Sequence, residues 1–171
     1  MPTATYEPIA TTTLGGSSSS ITFSSIPVTF SDIRLVLTGT ASANVTCCLR
    51  INSNSGNIYS NVNIRAANTS IVVGAGASAL NTFQFLGGNS SLSTVHPTMY
   101  TIDFIHYLGT NGPKSYIYTI SADKNTNTTS SVERAVGTVN TTSAVSSITI
   151  FPNGANWNSG TTATLYGIKR A

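Results

Sequence analysis

Residues 98–122 read TMYTIDFIHYLGTNGPKSYIYTISA, and this stretch decides the fold class. In residues 98–108, Tyr100, Ile102 and Phe104 occupy every second position and so share one face of the chain, which is the periodicity of a β-strand. Because the opposite face, which includes Met99 and Ile105, is also partly apolar, this strand either lies centrally in a sheet or faces a partner subunit. Turn residues fill 109–113, and residues 115–122 alternate again. The stretch therefore predicts a β-hairpin.

The same pattern extends in both directions from this hairpin, and helix signals are nearly absent. Thr, Val, Ile, Tyr and Phe dominate the apolar runs, while Gly, Asn, Ser and Pro separate them. Twelve candidate segments lie at 6–14, 21–26, 32–39, 45–52, 58–65, 70–73, 82–86, 98–108, 115–122, 132–139, 144–151 and 162–169, and about nine or ten strands are expected from them. Many short strands predict a single all-β domain, a two-sheet antiparallel sandwich of jelly-roll type. An immunoglobulin-type sandwich is the alternative, although no Cys…Trp…Cys framework supports it.

Three places in this pattern are candidate partner-binding sites. Residues 1–14 predict an extended N-terminal arm, interrupted by Pro8, ahead of a sandwich domain at 15–171. The arm contributes Tyr6, Pro8 and Ile9. The side chains of Tyr116 and Tyr118 share a face and would serve sheet packing, a subunit interface or carbohydrate stacking. Trp157 falls in a predicted loop at 152–160.

Charge is scarce along the whole chain. Asp, Glu, Lys and Arg together make up 8% of the residues, whereas Ser and Thr make up close to a third. A neutral hydroxyl surface costs less to desolvate than a charged one, which favours a protein that packs against neighbours. The net charge of +3 comes from scattered basic residues, so nucleic-acid binding is not expected. No apolar run is long enough for a membrane span, and residues 1–14 lack a signal-peptide pattern, which predicts folding in a cytosol.

The residues that enzymes use are few and scattered. Five acids and two histidines, His96 and His106, are spread along the chain, so neither a paired-carboxylate site nor a metal or cofactor site is expected. Two acids that are distant in sequence could still be brought together in space by the fold. The adjacent Cys47 and Cys48 would point to opposite faces of a strand and do not predict a disulfide. The sequence therefore predicts a protein that is not an enzyme.

Motifs at both ends of the chain resemble a known group. The opening YEPIATTTL at 6–14, the run ITFSSIP at 21–27 with DIRLVL at 32–37, the stretch LRINSNSGNIYS at 49–60 and the ending GTTATLYGIK at 160–169 occur in the group's order. They resemble small virion proteins of tailed bacteriophages, especially those of cyanobacterial and other aquatic hosts. Asn54 stands where the group's hairpin motif carries Asp, and residues 66–140 are not distinctive.

The resemblance implies a jelly-roll-like structural protein of a phage particle, made in the host cytoplasm and located in the virion. We expect a homo-oligomer, a trimer, that binds the major capsid protein as a decoration (cement) protein. The alternative is a tail-fibre or receptor-binding module that uses loops such as 152–160. A sugar-active enzyme is a third and more distant interpretation.

Overall fold

The structure is a computed structural model that describes residues 5–67, 70–84, 92–123 and 130–169. Within those residues the regular structure consists of strands, and no helix is present that is long and apolar enough to cross a membrane. The strands are β1 (Tyr6–Thr13), β2 (Ile21–Phe23), β3 (Asp32–Gly39), β4 (Cys47–Ile51), β5 (Tyr59–Ala67), β6 (Ser70–Leu80), β7 (Phe83–Gln84), β8 (Thr98–Ile105), β9 (Lys114–Asp123), β10 (Ser130–Val139), β11 (Ile148–Pro152) and β12 (Thr162–Ile168).

These strands form two sheets. An eight-stranded sheet has the order β1-β12-β3-β8-β9-β10-β5-β6, and a four-stranded sheet has the order β2-β11-β4-β7. Every pairing between these strands is antiparallel. The prediction of an all-β, two-sheet antiparallel sandwich is confirmed, and the jelly-roll connectivity stays a prediction.

The core lies between the sheets and follows the period-2 alternation. Leu35 and Ile102 of the large sheet and Leu49 and Ile150 of the small sheet are fully buried in one cluster. The hairpin predicted at 98–122 is the pair β8–β9, at the centre of the large sheet, with Tyr100 opposite Ile120. This hairpin lies between β3 and β10 in the sheet; its inner side chains, such as Tyr100 and Tyr118, are fully buried, and outer ones, such as Met99, are exposed.

Residues 6–13 of the predicted N-terminal arm (1–14) form a strand of the sandwich itself, and residues 1–4 lie outside the described residues. β1 pairs with β12 along its length, from Tyr6 opposite Ile168 to Thr13 opposite Thr162. The pairing shifts register between Pro8 and Ala10, where the proline lacks the N–H that a regular ladder would use. The segment is therefore extended, as expected, but it is the edge strand of the eight-stranded sheet of its own chain and not a separate arm.

Several further boundaries differ from the expectation, among them the predicted strand at 144–151, which begins at Ile148. Strand β8 ends at Ile105 because His106 has a left-handed backbone (φ 56°) and its N–H donates to Asp32 Oδ1 at 2.7 Å. The small-residue stretch after residue 73 continues strand β6 to Leu80, since pairing with β5 supplies its hydrogen bonds. The predicted strand at 82–86 is short strand β7, and residues 85 and 86 lie outside the described residues.

Candidate binding surfaces

Four of the five carboxyl groups are spread across the fold and take part in structural contacts. No group of three or more His, Cys, Asp or Glu side chains that would hold a metal ion occurs within the described residues. Asp103 pairs with Arg34 (Nε to Oδ1, 2.5 Å), and Glu7 pairs with Lys169 (2.8 Å). Glu133 is buried in β10, where its Oε1 accepts a hydrogen bond from Tyr118 Oη at 2.5 Å. These carboxyl groups hold the sheet together and do not converge.

The two cysteines are free thiols enclosed by the fold. Cys47 points into the core, and Cys48 on the opposite side of β4 is also buried. Burial raises the pKa of Cys48 to about 11 and raises the pKa of Cys47 well above its usual value. Thiols held protonated in this way are poor nucleophiles and poor metal ligands.

Tyr116 and Tyr118, which the alternation predicted to share a face, do share one, and it is the inner face. The hydroxyl of Tyr116 donates to the Ser60 carbonyl at 2.5 Å, and burial raises the pKa of this hydroxyl. Tyr118 is fully buried and donates to Glu133. Of the three alternatives, sheet packing describes both residues, and neither offers a surface to a partner.

Trp157 is also enclosed, although its segment is irregular as predicted. Its side chain is fully buried, and its Nε1–H donates to the Ile150 carbonyl at 3.2 Å. Its backbone forms isolated bridges to Ser18 and Ala41. Trp157 therefore anchors loop 152–160 to the sandwich, because its large apolar ring is removed from water while its N–H keeps a hydrogen-bond partner.

The candidates on β1 are the ones that remain at the surface. Pro8 is exposed, and Ile9 is half-buried against the core. Tyr6 is 42% exposed, but its ring stacks on Tyr166 with centroids 4.7 Å apart, and the Arg34 guanidinium lies 5.8 Å from the ring centroid of Tyr6. These contacts tie β1 to its own sheet.

A surface that the sequence interpretation did not single out lies at the other end of the large sheet. On the outer face of the neighbouring strands β10, β5 and β6, six aliphatic side chains are between 45% and 77% exposed. We call these side chains the apolar face: Val62, Ile64, Ile71, Val73, Val132 and Val136. Cross-strand register places Val136 opposite Val62 and Ile64 opposite Val73. The signal was present in the alternation of 58–65, whose apolar members share one side; the inner side of β5 instead carries Tyr59, Asn61 and Asn63.

The apolar face is concave near its centre. An open pocket of about 370 Å³ lies there, lined by Val62, Ile64, Val73 and Val136 with Arg134 among them. Arg134 is exposed and stands opposite Ile64 on the neighbouring strand. At the far end of the same sheet the outer face is polar, since Thr11 pairs with Thr164 and Thr13 with Thr162 through hydroxyl hydrogen bonds of 3.0 Å. The outer face of this sheet thus carries hydroxyl pairs between β1 and β12 and the apolar face on β10, β5 and β6.

A second, smaller concavity lies on the outer face of the four-stranded sheet. It is an open pocket of about 250 Å³ that contains the guanidinium of Arg50 and the ring of Phe151, with the guanidinium carbon 5.1 Å from the ring centroid. We call it the Arg50 pocket; its remaining lining residues are Ser19, Ser20, Ser53 and Thr149.

Comparison with known proteins adds nothing to the assignment of these surfaces. No family model matches the chain, and no curated protein matches it. An exo-inulinase from Aspergillus awamori aligns with a TM-score of 0.42 at 13% identity over 94% of this chain, which spans only 29% of the inulinase. The galectin LEC-6 from Caenorhabditis elegans aligns with a TM-score of 0.29 at 17% identity, over 96% of this chain and 91% of the galectin. Both scores are too low to bear on function.

Proposed function

We propose that this chain is a non-enzymatic structural protein of a tailed-phage particle, which decorates the outside of the head shell and stabilises it. Its partners are further copies of itself and the major capsid protein, and it needs no cofactor. The observation that carries the assembly role is the apolar face. The phage assignment rests on the sequence motifs at both ends of the chain.

The apolar face supports an assembly role because six exposed aliphatic side chains on adjacent strands are costly to leave in water. Covering the exposed half of one such side chain gains about 1 kcal/mol, since full burial is worth roughly 1.5–3 kcal/mol. Contiguous apolar patches on soluble proteins commonly mark protein–protein contacts. With 8% charged residues in the whole chain, the rim of such a contact also has few charges to desolvate.

We assign the apolar face to a contact with a second copy of this chain. A copy offers a neutral, hydroxyl-rich surface whose carbonyl and hydroxyl oxygens can accept from Arg134 without a buried unpaired charge. A two-fold contact centred on the pocket would set Arg134 against its own copy, and like charges disfavour that arrangement. A three-fold contact joins two different patches and avoids this repulsion, so it is compatible with the trimer that we propose.

The second candidate function is a tail-fibre or receptor-binding module, and the Arg50 pocket favours it. That pocket combines a cation, an aromatic ring and hydroxyl groups in a concave site, which is the composition of a small-ligand site and not of a flat subunit contact.

The copy number of the chain in purified particles tests the proposed function. Quantitative mass spectrometry against the major capsid protein should give hundreds of copies per particle, because decoration follows the symmetry of the shell. A handful of copies would support the tail alternative in place of decoration. Absence of the chain from particles would overturn the structural role altogether.

A further inference from the structure

We propose that the Arg50 pocket binds a monosaccharide-sized ligand that carries a carboxylate, the class of a uronic acid. This proposal does not rest on the assembly role, because the pocket lies on the four-stranded sheet and the apolar face on the eight-stranded sheet.

Arg50 forms no ion pair with the carboxylates whose side chains the structure describes. Its Nε lies buried beneath the surface and has no hydrogen-bond partner among the described residues. The four carboxylates whose side chains the structure describes are engaged elsewhere: Asp103 with Arg34, Glu7 with Lys169, Asp32 with the His106 N–H and Glu133 with Tyr118. Because Nε is enclosed, the two Nη groups are the donors that can form parallel hydrogen bonds to an incoming carboxylate.

The guanidinium is held in place before any ligand arrives. Phe151, one strand away on β11, lies beside it at 5.1 Å, and Thr149 stands directly opposite Arg50 in the ladder. A stacked guanidinium loses less side-chain freedom on binding than a solvated one, which favours affinity in a small site.

A rigid turn follows β4. Asn52 and Ser53 both have left-handed backbones, with φ of 49° and 55°. The Asn52 side chain fixes this turn, because its Oδ1 accepts from the Ser146 N–H at 2.8 Å and its Nδ2 donates to the Ala144 carbonyl at 2.8 Å. Two consecutive residues in a sparsely populated conformation persist only where the surroundings hold them, and here they place Ser53 at the pocket rim.

The hydroxyl groups of the pocket favour a sugar acid over an acidic peptide. Ser19, Ser20, Ser53 and Thr149 each supply a hydroxyl that can donate and accept. An Asp or Glu side chain would use only the guanidinium. A uronic acid would use the guanidinium through its carboxylate and the surrounding hydroxyls through its own hydroxyl groups, and its ring carbons would contact Phe151.

The test is an NMR titration of the full chain, labelled with ¹⁵N, with glucuronate, glucose, acetate and an Asp-containing peptide. Glucuronate should shift the Arg50 Nε–Hε resonance and the amides of Ser20 and Thr149, and it should bind at least tenfold more tightly than each of the other three. Equal affinity for glucose and glucuronate would show that the carboxylate is not recognised and would overturn the proposal. Acetate or the peptide binding as tightly as glucuronate would overturn the assignment to a sugar acid.

Two variants remove the same charge at different places. Arg50→Gln should weaken glucuronate binding at least tenfold, while Arg134→Gln on the apolar face should leave it unchanged. Arg50→Lys keeps the positive charge but lacks the guanidinium fork, so its affinity for glucuronate should fall several-fold. It replaces Arg50→Gln in the test if the spectrum of that variant is poorly dispersed. Wild-type affinity in both Arg50 variants would overturn the proposal. Neither result alters the copy-number test of the assembly role.

Discussion

At the scale of single residues, the inner face of the large sheet depends on glycine at position 137. A Cβ built there would lie 2.1 Å from the Tyr116 hydroxyl and 2.2 Å from the Ser60 carbonyl oxygen. The glycine thus makes room for the Tyr116 ring to cross β10 and donate to β5. Tyrosine at 116 and glycine at 137 form one packing unit, since they stand opposite each other in the β9–β10 ladder.

Gly137→Ala should therefore destabilise the fold by about 2–3 kcal/mol, because overpacking costs roughly 1–3 kcal/mol and the hydroxyl bond is also disturbed. Urea denaturation followed by circular dichroism measures this. Gly112→Ala is the matched control, since its new Cβ would meet nothing within 4 Å, and it should change the free energy of unfolding by less than about 0.5 kcal/mol. Equal stability of the two variants would contradict the packing described.

The buried thiols and phenols predict a loss of stability at alkaline pH. Burial raises the pKa values of Cys47, Tyr59, Tyr107 and Tyr116, and raises that of Cys48 to about 11. The folded chain holds these protons more tightly than the unfolded chain, whose thiols titrate near pH 8.5 and phenols near pH 10. Stability is therefore fully present below about pH 8.5 and falls as pH rises through the folded pKa values.

Thermal unfolding between pH 7 and pH 11 should show this decline. Cys48→Ala removes one of the titrating groups, so its free energy of unfolding should fall less steeply with pH than that of the wild type. Stability that stays constant or increases up to pH 11 would mean that these groups are exposed to solvent.

At the scale of elements, β1 closes one edge of the large sheet. Its ladder with β12 is supplemented by the Tyr6–Tyr166 stack and the Glu7–Lys169 ion pair. Without β1, strand β12 would become an unprotected edge, which is a template for pairing with other chains.

Deletion of residues 2–13 should therefore lower the melting temperature and promote aggregation, both measurable by differential scanning fluorimetry with light scattering. Tyr6→Ala is a milder change and should lower the free energy of unfolding by about 0.5–1.5 kcal/mol, which is the contribution of one aromatic pair. A truncated chain as stable and soluble as the full one would show that this segment is a free arm after all.

The sequence predicted the hairpin β8–β9 and the alternation of β3 and β12, because in those strands burial and hydrophobicity follow the same period of two. It did not predict the orientation of β5, where Val62 and Ile64 face outward and Asn61 and Asn63 face inward. Alternation reveals which residues share a face and leaves open which face is buried. That choice is made by long-range pairing, such as the Tyr116 hydroxyl bonding to β5.

The same limit applies to the candidate sites. Tyr116, Tyr118 and Trp157 were chosen for their chemistry, since tyrosine and tryptophan suit interfaces as well as cores. Their burial depends on cavities that only the assembled sandwich creates. The Arg50 pocket was missed for the related reason that Ser19, Ser20, Arg50 and Phe151 are far apart in the chain and meet only across three strands.

At the scale of the whole molecule, the hydroxyl-rich composition has a structural explanation that the sequence alone did not provide. Pairs such as Thr22–Thr149 and Ser60–Thr138 bond across neighbouring strands at 3.0 and 2.7 Å, so part of the Ser and Thr content stabilises the outer faces of both sheets. Six of the exposed aliphatic side chains lie together on β5, β6 and β10, whereas Val28, Val95, Met99 and Ile105 lie apart from them. This cluster of six is what supports one assembly surface.

The mass of the purified chain in solution tests this central claim most directly. Size-exclusion chromatography with light scattering should give a trimer for the wild type and a monomer of 17.8 kDa for Ile64→Lys, which places a charge in the middle of the apolar face. Asn153→Lys, an exposed position in the loop after β11 of the other sheet, should remain a trimer. A wild-type chain that is monomeric at all concentrations, or an Ile64→Lys variant that is still a trimer, would contradict the account.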